Sequence, residues 1–484
     1  MSFEWQKMPK SSKREQWNKL SLAYMKKYPS FIYFLGLSLL LGMFSSCKRT
    51  DPEFTEGSVQ LRFSEDTVYF DTLLSTVKST TKRLRVYNDA SKAVSISTIG
   101  ITNTSNAFSL TVNGIEGNAF ENTDLLAGDS LLILLNATLE DQNENLPYVV
   151  EETLSFTTNG AEQTVPVIAW GQDAHFLRDS VLVCNSVWTA GKPYVIYDDI
   201  LVDSLCSLTI EPGTRVYSHF GSTIYVQGTL LANGTAQSPI EFTNDRFDSG
   251  FDTAPGQWNG IVFLEGSKSN QITFATIKNA HNAIWLGTPD NDTLPNLTLA
   301  NTIIENNTGS GILTFTSDLS MTNCLVDNCG EFVLACLAGG NIQIVHSTLT
   351  NYGLGFFRTQ PIAVFTNNLQ LNDGSVLLGD LSVEMENSIV WGTQTDELAF
   401  NDSGDKSFNI SISNNLIRTS DSNISNQNIV NQDPIFIAPY EFNYRIDTLS
   451  PAIDKGVDLG ISIDLDSLQR DNKPDLGAYE WKQN

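Results

Sequence analysis

Basic residues are in short supply in this sequence: 29 Lys and Arg stand against 55 Asp and Glu, a formal net charge of −26. A field of that sign repels nucleic-acid phosphates and anionic lipid headgroups, which argues against both as partners; its plain role is to keep the protein soluble. Histidine is scarcer still, with four residues at 175, 219, 281 and 346 that show no metal-ligand spacing. The six cysteines include no Cys-x-x-Cys pair, and neither a nucleophile elbow nor a phosphate-binding glycine loop is present. Adjacent aspartates occur once, at Asp198-Asp199, without a neighbouring His or Arg-x-Lys. Glycoside hydrolysis needs two carboxyl groups flanking the bond, and no such pair stands out. No apolar run reaches the ~20 residues that cross a bilayer as a helix.

What is present begins at the N-terminus. A basic stretch ending at Lys26-Lys27, a 14-residue apolar run from Phe31 to Phe44, and Ser45-Ser46-Cys47 follow one another. These are the n-region, h-region and cleavage site of a signal peptide. Residues 1–24 are long for an n-region, which points to Met25 as the true start. Residues 1–46 hold 7 Lys/Arg and 2 Asp/Glu, so the remainder carries −31. Leu41 to Cys47 resembles a bacterial lipobox, with Phe44 an imperfect match. The resemblance implies that Cys47 is lipidated and becomes the mature N-terminus, and that Lys48 after it favours the outer membrane. Asp51, Glu53 and Glu56 resemble the acidic surface-export signals of Bacteroidota lipoproteins. An ordinary signal peptide with an incidental cysteine is the alternative. Residues 1–46 are thus expected as a signal peptide and 47–57 as a lipidated tether.

Beyond the tether, apolar alternation at period two marks strands at Val59 to Phe63, Leu84 to Tyr87, Val94 to Ile99, Leu131 to Leu135, Leu154 to Phe156 and Val165 to Ala169. Asn159-Gly160 reads as a hairpin turn because both residues tolerate positive φ. A β-sandwich over 58–174 follows. At Leu61-Arg62-Phe63-Ser64 and Asp129-Ser130-Leu131 it resembles immunoglobulin-like domains of the major-sperm-protein and abnormal-spindle type, which implies a spacer or docking module.

From His175 an internal repeat takes over. Apolar alternation restarts at Leu297, Leu319, Ile342, Ile362, Val383 and Ile410, at intervals of 22, 23, 20, 21 and 27, with Ile272-Thr-Phe274 an earlier relative. Such short units bury an apolar face only by stacking. Leucine-rich repeats share the spacing but not the leucine and asparagine pattern, so a parallel β-helix over 175–440 is expected. One polar position recurs at constant phase: Asn301, Asn323, His346, Thr366, Asn387 and Asn414. Asn tolerates the αL conformation at a corner and bonds neighbouring backbone or its stacked equivalent. This row is therefore read as a structural ladder, with His346 a substitute in it and not a base.

Residues 208–262, with Ile210-Glu-Pro212-Gly213, Ser238-Pro239-Ile240-Glu-Phe242 and Trp258-Asn-Gly260, resemble exported bacterial β-helix proteins. The end of the chain, with Ser450-Pro451-Ala452-Ile453-Asp454-Lys-Gly456 and Asp475-Leu476-Gly477-Ala478-Tyr479-Glu480, resembles the choice-of-anchor Q type. The resemblance implies a right-handed β-helix and an exported location, with no single activity. Residues 441–484 are expected as a C-terminal capping segment.

Four further patterns bear on function. Cys184 and Cys206 are 22 residues apart, one repeat, which is compatible with a disulfide between adjacent coils or with two stacked thiols. Asp-Ser/Thr-apolar triplets recur with hydroxyls at Thr67, Thr72, Ser130, Ser180, Ser204, Thr253, Thr293, Thr448 and Ser467, a set similar to the O-glycosylation motif of Bacteroidota envelope proteins. Asp245, Asp248 and Asp252, with Arg246, are the nearest approximation to a lyase's calcium carboxylates; their Gly- and Asp-rich loop reads as a flexible surface excursion. No cofactor is implied. The expectation is a non-catalytic, outer-membrane, surface-facing lipoprotein used for binding or scaffolding. Its partners are expected to be the membrane through its lipid anchor, an outer-membrane barrel or other envelope proteins, and glycan. An accessory subunit of an outer-membrane assembly or transport complex, and a polysaccharide lyase or glycoside hydrolase, are the alternatives.

Overall fold

The computed structural model describes residues 51–482 apart from 58, 103, 249, 288–293, 425 and 426. The signal peptide, Cys47 and Thr293 lie outside the described residues. Helix among the described residues is limited to two 3-10 turns, Ser422–Ile424 and Pro439–Glu441.

Alternation builds the first unit. Ser130–Ala137 turns Leu131, Ile133, Leu135 and Ala137 to one side, and Tyr148–Thr158 does the same with Leu154 and Phe156. Two five-stranded sheets result. One runs Arg62–Phe63, Lys82–Tyr87, Ser130–Ala137, Phe108–Val112, Ile115–Gly117; the other runs Val68–Leu74, Ala161–Gln172, Tyr148–Thr158, Val94–Ile101, Ala119–Leu125. Their inner faces share one apolar core around Phe70, Leu84, Ile96, Leu110 and Phe156, which makes the unit a β-sandwich. Asn159 and Gly160 hold φ at 47° and 81° in the hairpin whose ends, Thr158 and Ala161, face each other. Val68–Leu74, paired parallel to Ala161–Gln172, escapes the sequence pattern because Asp71-Thr72 breaks its alternation.

From His175 the described strands of successive coils pair in parallel, and each full coil contributes three strands. Leu297–Ala300, Ile303–Asn307 and Ile312–Phe315 form one; Leu319–Thr322, Leu325–Cys329 and Leu334–Leu337 form the next. The register is Leu297 on Leu319, Ile303 on Leu325 and Ile312 on Leu334. Equivalent apolar residues therefore stack in columns, such as Leu299, Met321, Ile344, Met385 and Ile412. Together they fill a continuous core from Trp188 to Ile424.

Two expectations need correction. The alternation at Ile362 belongs to the third strand of its coil: Ala363–Thr366 pairs with Leu334–Leu337, whereas Gly340–Val345 pairs directly with Leu381–Glu386. The coil is enlarged by the hairpin Asn368–Gln370/Val376–Leu378, and the 20-residue interval matched the repeat by coincidence. Thr366 is thus a strand residue outside the ladder; its hydroxyl donates to Asn368 O at 2.6 Å. The C-terminal segment, in turn, runs back along the flank of the coils. Phe436, Tyr444, Ile446 and Tyr479 pack against outward-facing Leu325, Ile389, Trp391 and Leu416, because those strands are apolar on both faces.

Candidate functional site

The sandwich and the first coils meet at an apolar seam of Leu74 and Val77 against Val195, Tyr217 and Phe247. Beside the seam is a cleft of about 220 Å³. Successive coils set a row of polar side chains along one wall. Arg178 faces Tyr197 across adjacent strands, its guanidinium carbon 4.8 Å from the ring centroid. His219, whose N–H donates to Ile196 O, lies 4.6 Å from the Tyr197 ring, and Asp245 donates its N–H to Ser218 O on the coil before. His219 Nδ1 is 2.7 Å from Asp245 Oδ2, with the carboxylate nearly buried and the imidazole half exposed. Arg246 pairs with Asp248 at 2.6 Å and lies over the Phe251 ring at 3.4 Å. The opposite wall comes from the sandwich: Lys82 pairs with Asp71 at 3.2 Å, and the Thr80 hydroxyl donates to Asp248 at 3.2 Å.

The loop carrying Asp245, Asp248 and Asp252 is held where a free excursion was expected. A second asparagine stack grips its backbone. Asn244 Nδ2 donates to Arg246 O and Phe251 O, Asn279 Nδ2 to Asp252 O at 2.9 Å, and Asn306 Nδ2 to Thr253 O at 2.6 Å. The stack is continuous: Asn279 donates to Asn244 at 2.8 Å, Asn306 to Asn279 at 2.6 Å and Asn328 to Asn306 at 2.9 Å. Asn279, Asn306 and Asn328 follow Phe274, Asn301 and Asn323 by five residues each, so the shared 27- and 22-residue intervals were the signal that could have found them. The three aspartates do not converge on a common point: Asp245 answers His219, Asp248 answers Arg246 and Thr80, and Asp252 is exposed. Among the described residues no three His, Cys, Asp or Glu side chains group as metal ligands.

In the ladder itself Asn301, Asn323, His346, Asn387 and Asn414 all take positive φ, between 46° and 56°. Asn323 Nδ2 donates to Asn301 at 3.2 Å, Asn387 Nδ2 to His346 Nε2 at 2.9 Å, and Asn414 Nδ2 to Glu386 at 3.1 Å. His346 is fully buried, and burial lowers its pKa to about 3, so the imidazole is neutral near neutral pH and only weakly basic, which suits a place in the ladder. Sequence reasoning missed the ladder's second task, which is to hold the C-terminal segment. Asn323 Nδ2 donates to Ile463 O at 2.7 Å while its oxygen accepts from Arg470 at 3.0 Å; Asn387 exchanges two bonds with the Val457 backbone at 2.7 and 3.0 Å. Asp475 and Glu480 of the terminal motif complete the anchor: Asp475 accepts from Asp454 N and Trp481 N, and Glu480 pairs with Arg470 at 2.9 Å.

Cys184 and Cys206 are disulfide-bonded across adjacent coils, with Cα atoms 4.8 Å apart. Cys324, Cys329 and Cys336 are buried in the coil core, where burial raises each thiol to about 12 and leaves it inert. The Asp-Ser/Thr triplets are not uniformly accessible. Thr72, Ser204, Thr253 and Thr448 are exposed, whereas Thr67, Ser130, Ser180 and Ser467 are half-buried. At 129, 203 and 447 the aspartate accepts the next residue's N–H, at 2.5 to 2.7 Å, so the triplet also builds a tight turn. Outside the cleft, Tyr69 and Trp170 form an exposed, nearly parallel aromatic pair, 6.0 Å between centroids, on the second sheet of the sandwich.

A family model described as a right handed beta helix region matches residues 194–368, which makes the coil a right-handed parallel β-helix. No curated protein matches the sequence. Among solved structures, a protein of unknown function from Porphyromonas gingivalis is 14% identical over 25% of this chain and 59% of its own, with a TM-score of 0.18. The ASH/PapD-like domain of human CEP192 is 10% identical over 27% of this chain and 95% of that domain, at 0.17. A family 123 glycoside hydrolase from Clostridium perfringens is 8% identical over 24% of this chain and 26% of that one, at 0.16.

Proposed function

We propose that this chain is a non-catalytic, lipid-anchored outer-membrane protein, facing the cell exterior, whose immunoglobulin-like sandwich and β-helix together present a binding surface. Cys47 carries the lipid, and the cleft beside the seam is where ligand or partner engages. The observation that supports this reading is the state of the cleft's charges. Arg246, Lys82, Asp71, Asp245 and Asp248 are each engaged with a neighbour across or along the walls. Such groups hold the walls together and offer hydrogen bonds: Asp71 on the sandwich wall and Asp245 and Asp248 on the coil wall line the same cleft, but each is paired with a lysine, histidine or arginine, unlike the free acid and base that glycosidic bond cleavage uses. The exposed Tyr69 and Trp170 rings add an apolar face of the kind sugars stack on, which makes glycan the favoured small ligand.

One observation favours chemistry: the 2.7 Å His219–Asp245 pair is the arrangement that orients an imidazole as a base. Incubation with acidic and neutral polysaccharides separates the readings. Release of reducing ends or unsaturated products that disappears in His219→Ala would replace the binding role with a catalytic one. Retention of glycan or of a barrel protein by the lipidated chain in detergent-solubilised outer membrane, without product, is the expected result, and the species recovered distinguishes a glycan binder from an assembly subunit.

A further inference from the structure

The interface between the C-terminal segment and the coils contains a buried acid without a cationic partner. The register puts Lys278 beside Glu305 and Glu305 beside Asp327, with side chains on the outer face because Ile304 and Val326 take the inner one. Tyr444 of the returning segment covers this column. Asp327 is 0% exposed and neither of its carboxyl oxygens makes a hydrogen bond of ordinary geometry; the Tyr444 hydroxyl, 1% exposed, is the neighbouring polar group that favours its anion, and buried Thr350 has an unpartnered hydroxyl. An ionised carboxylate in that position would be desolvated without a compensating cation.

The charges around it do not supply that compensation. From the coils, Glu305 is one strand spacing away, about 4.8 Å, and adds like charge. Lys278 is a further spacing off and is taken by Glu241 at 3.2 Å. From the segment come the Tyr444 and Tyr479 phenols, with Arg445 committed to Asp466 at 2.6 Å, and from the loop after Thr348–Asn351, the second strand of its coil, comes Tyr352. No set of three ligating side chains meets here among the described residues.

We propose that Asp327 is held as a neutral carboxylic acid beneath Tyr444 and that its ionisation unseats the C-terminal segment, so that the flank is a latch that tightens in acid and loosens in base. Burial, reinforced by Glu305 and only partly offset by the Tyr444 hydroxyl, raises the Asp327 pKa well above its ordinary value. The sign follows from linkage. Below pH ~4 the acid is protonated whether the segment is docked or open. Above it the open form ionises while the docked form does not, so the opening constant grows tenfold per pH unit until the docked acid ionises too. Glu480, raised to about 7 by burial and Asp475, acts in the same direction, so Asp327 accounts for one proton of the response and not all of it.

Hydrogen exchange of residues 432–482 in the full chain, as protection relative to intrinsic rates from pH 5 to 9, tests the latch. Wild type should lose protection in this segment with rising pH, while the coil core stays protected. Asp327→Asn mimics the neutral acid, so its protection should match wild type within about twofold at pH 5 and fall with a slope shallower by one decade per pH unit. Glu480→Gln should remove a separate part of the slope and serves as the comparison. Equal slopes in wild type and Asp327→Asn would overturn the proposal. So would a segment already open at pH 5 in Asp327→Asn, since the carboxylate would then be needed as an anion. Protection that rises with added calcium in wild type and not in the variant would also overturn it, by making the pocket a metal site.

Discussion

Asn323 is where the coil ladder, the backbone corner and the C-terminal segment meet. Replacing it with leucine removes donors to Asn301 and Ile463 and the acceptor for Arg470, leaving a buried guanidinium short of a partner. Thermal unfolding should show a loss of about 1–3 kcal/mol. An unchanged melting temperature would contradict the contacts described. His346 gives a pH-dependent counterpart. Its folded pKa is depressed to about 3, so as pH falls below the ordinary histidine value of about 6.5 the unfolded chain gains a proton that the folded one refuses. Stability is lost across that window, and His346→Asn, which keeps an amide at the corner, should melt progressively higher relative to wild type as pH drops from 7 to 4. The positive φ of Asn301, Asn323, His346, Asn387 and Asn414 was legible because asparagine in an apolar repeat has few other uses. Thr366 was misread for a physical reason: a period-two pattern looks the same on any face of the coil, and only pairing reveals which face it occupies.

At the scale of elements, the loop after Ile240–Asn244 shows how far composition misleads. Glycine and aspartate suggested freedom, yet the carbonyls of Arg246, Phe251, Asp252 and Thr253 are gripped by Asn244, Asn279 and Asn306. Backbone bonds of this kind leave no mark on the loop's own residues. Because the three aspartates do not converge on a common point, added calcium should not shift the melting temperature, and the Asp245→Asn/Asp248→Asn/Asp252→Asn variant should respond identically; a calcium-linked rise abolished by the triple substitution would make the loop a metal site. Strands with clean alternation in the sandwich were legible, Leu131 to Leu135 and Val165 to Ala169 among them. Val68–Leu74 was not, since a polar pair in mid-strand erases the period that marks it.

For the whole molecule, the order of sandwich then coil was legible from the change in pattern after Asp173, whereas the cleft between them was not. It depends on Val77 and Thr80 meeting Phe247 and Asp248, pairs that no local pattern links. In the proposed lipid-anchored role, attachment to the membrane would depend on Cys47, ahead of both units. Cys47→Ala should move the protein from the membrane fraction to the soluble one, because several acyl chains are needed for stable anchoring and the variant would carry none. Retention after a high-salt wash, with no partner co-sedimenting, would remove the lipobox reading. The segment that runs back along the coils carries a consequence for biogenesis. A chain made N-terminus first can stack its coils as they emerge, yet Leu325, Ile389, Trp391 and Leu416 stay uncovered until residues 432–482 arrive. Docking of this segment therefore acts as a late checkpoint on the coils: a chain ending at residue 431 should form its coils, display that apolar stripe, and be lost to aggregation or proteolysis, with far lower soluble yield than the chain that carries the segment.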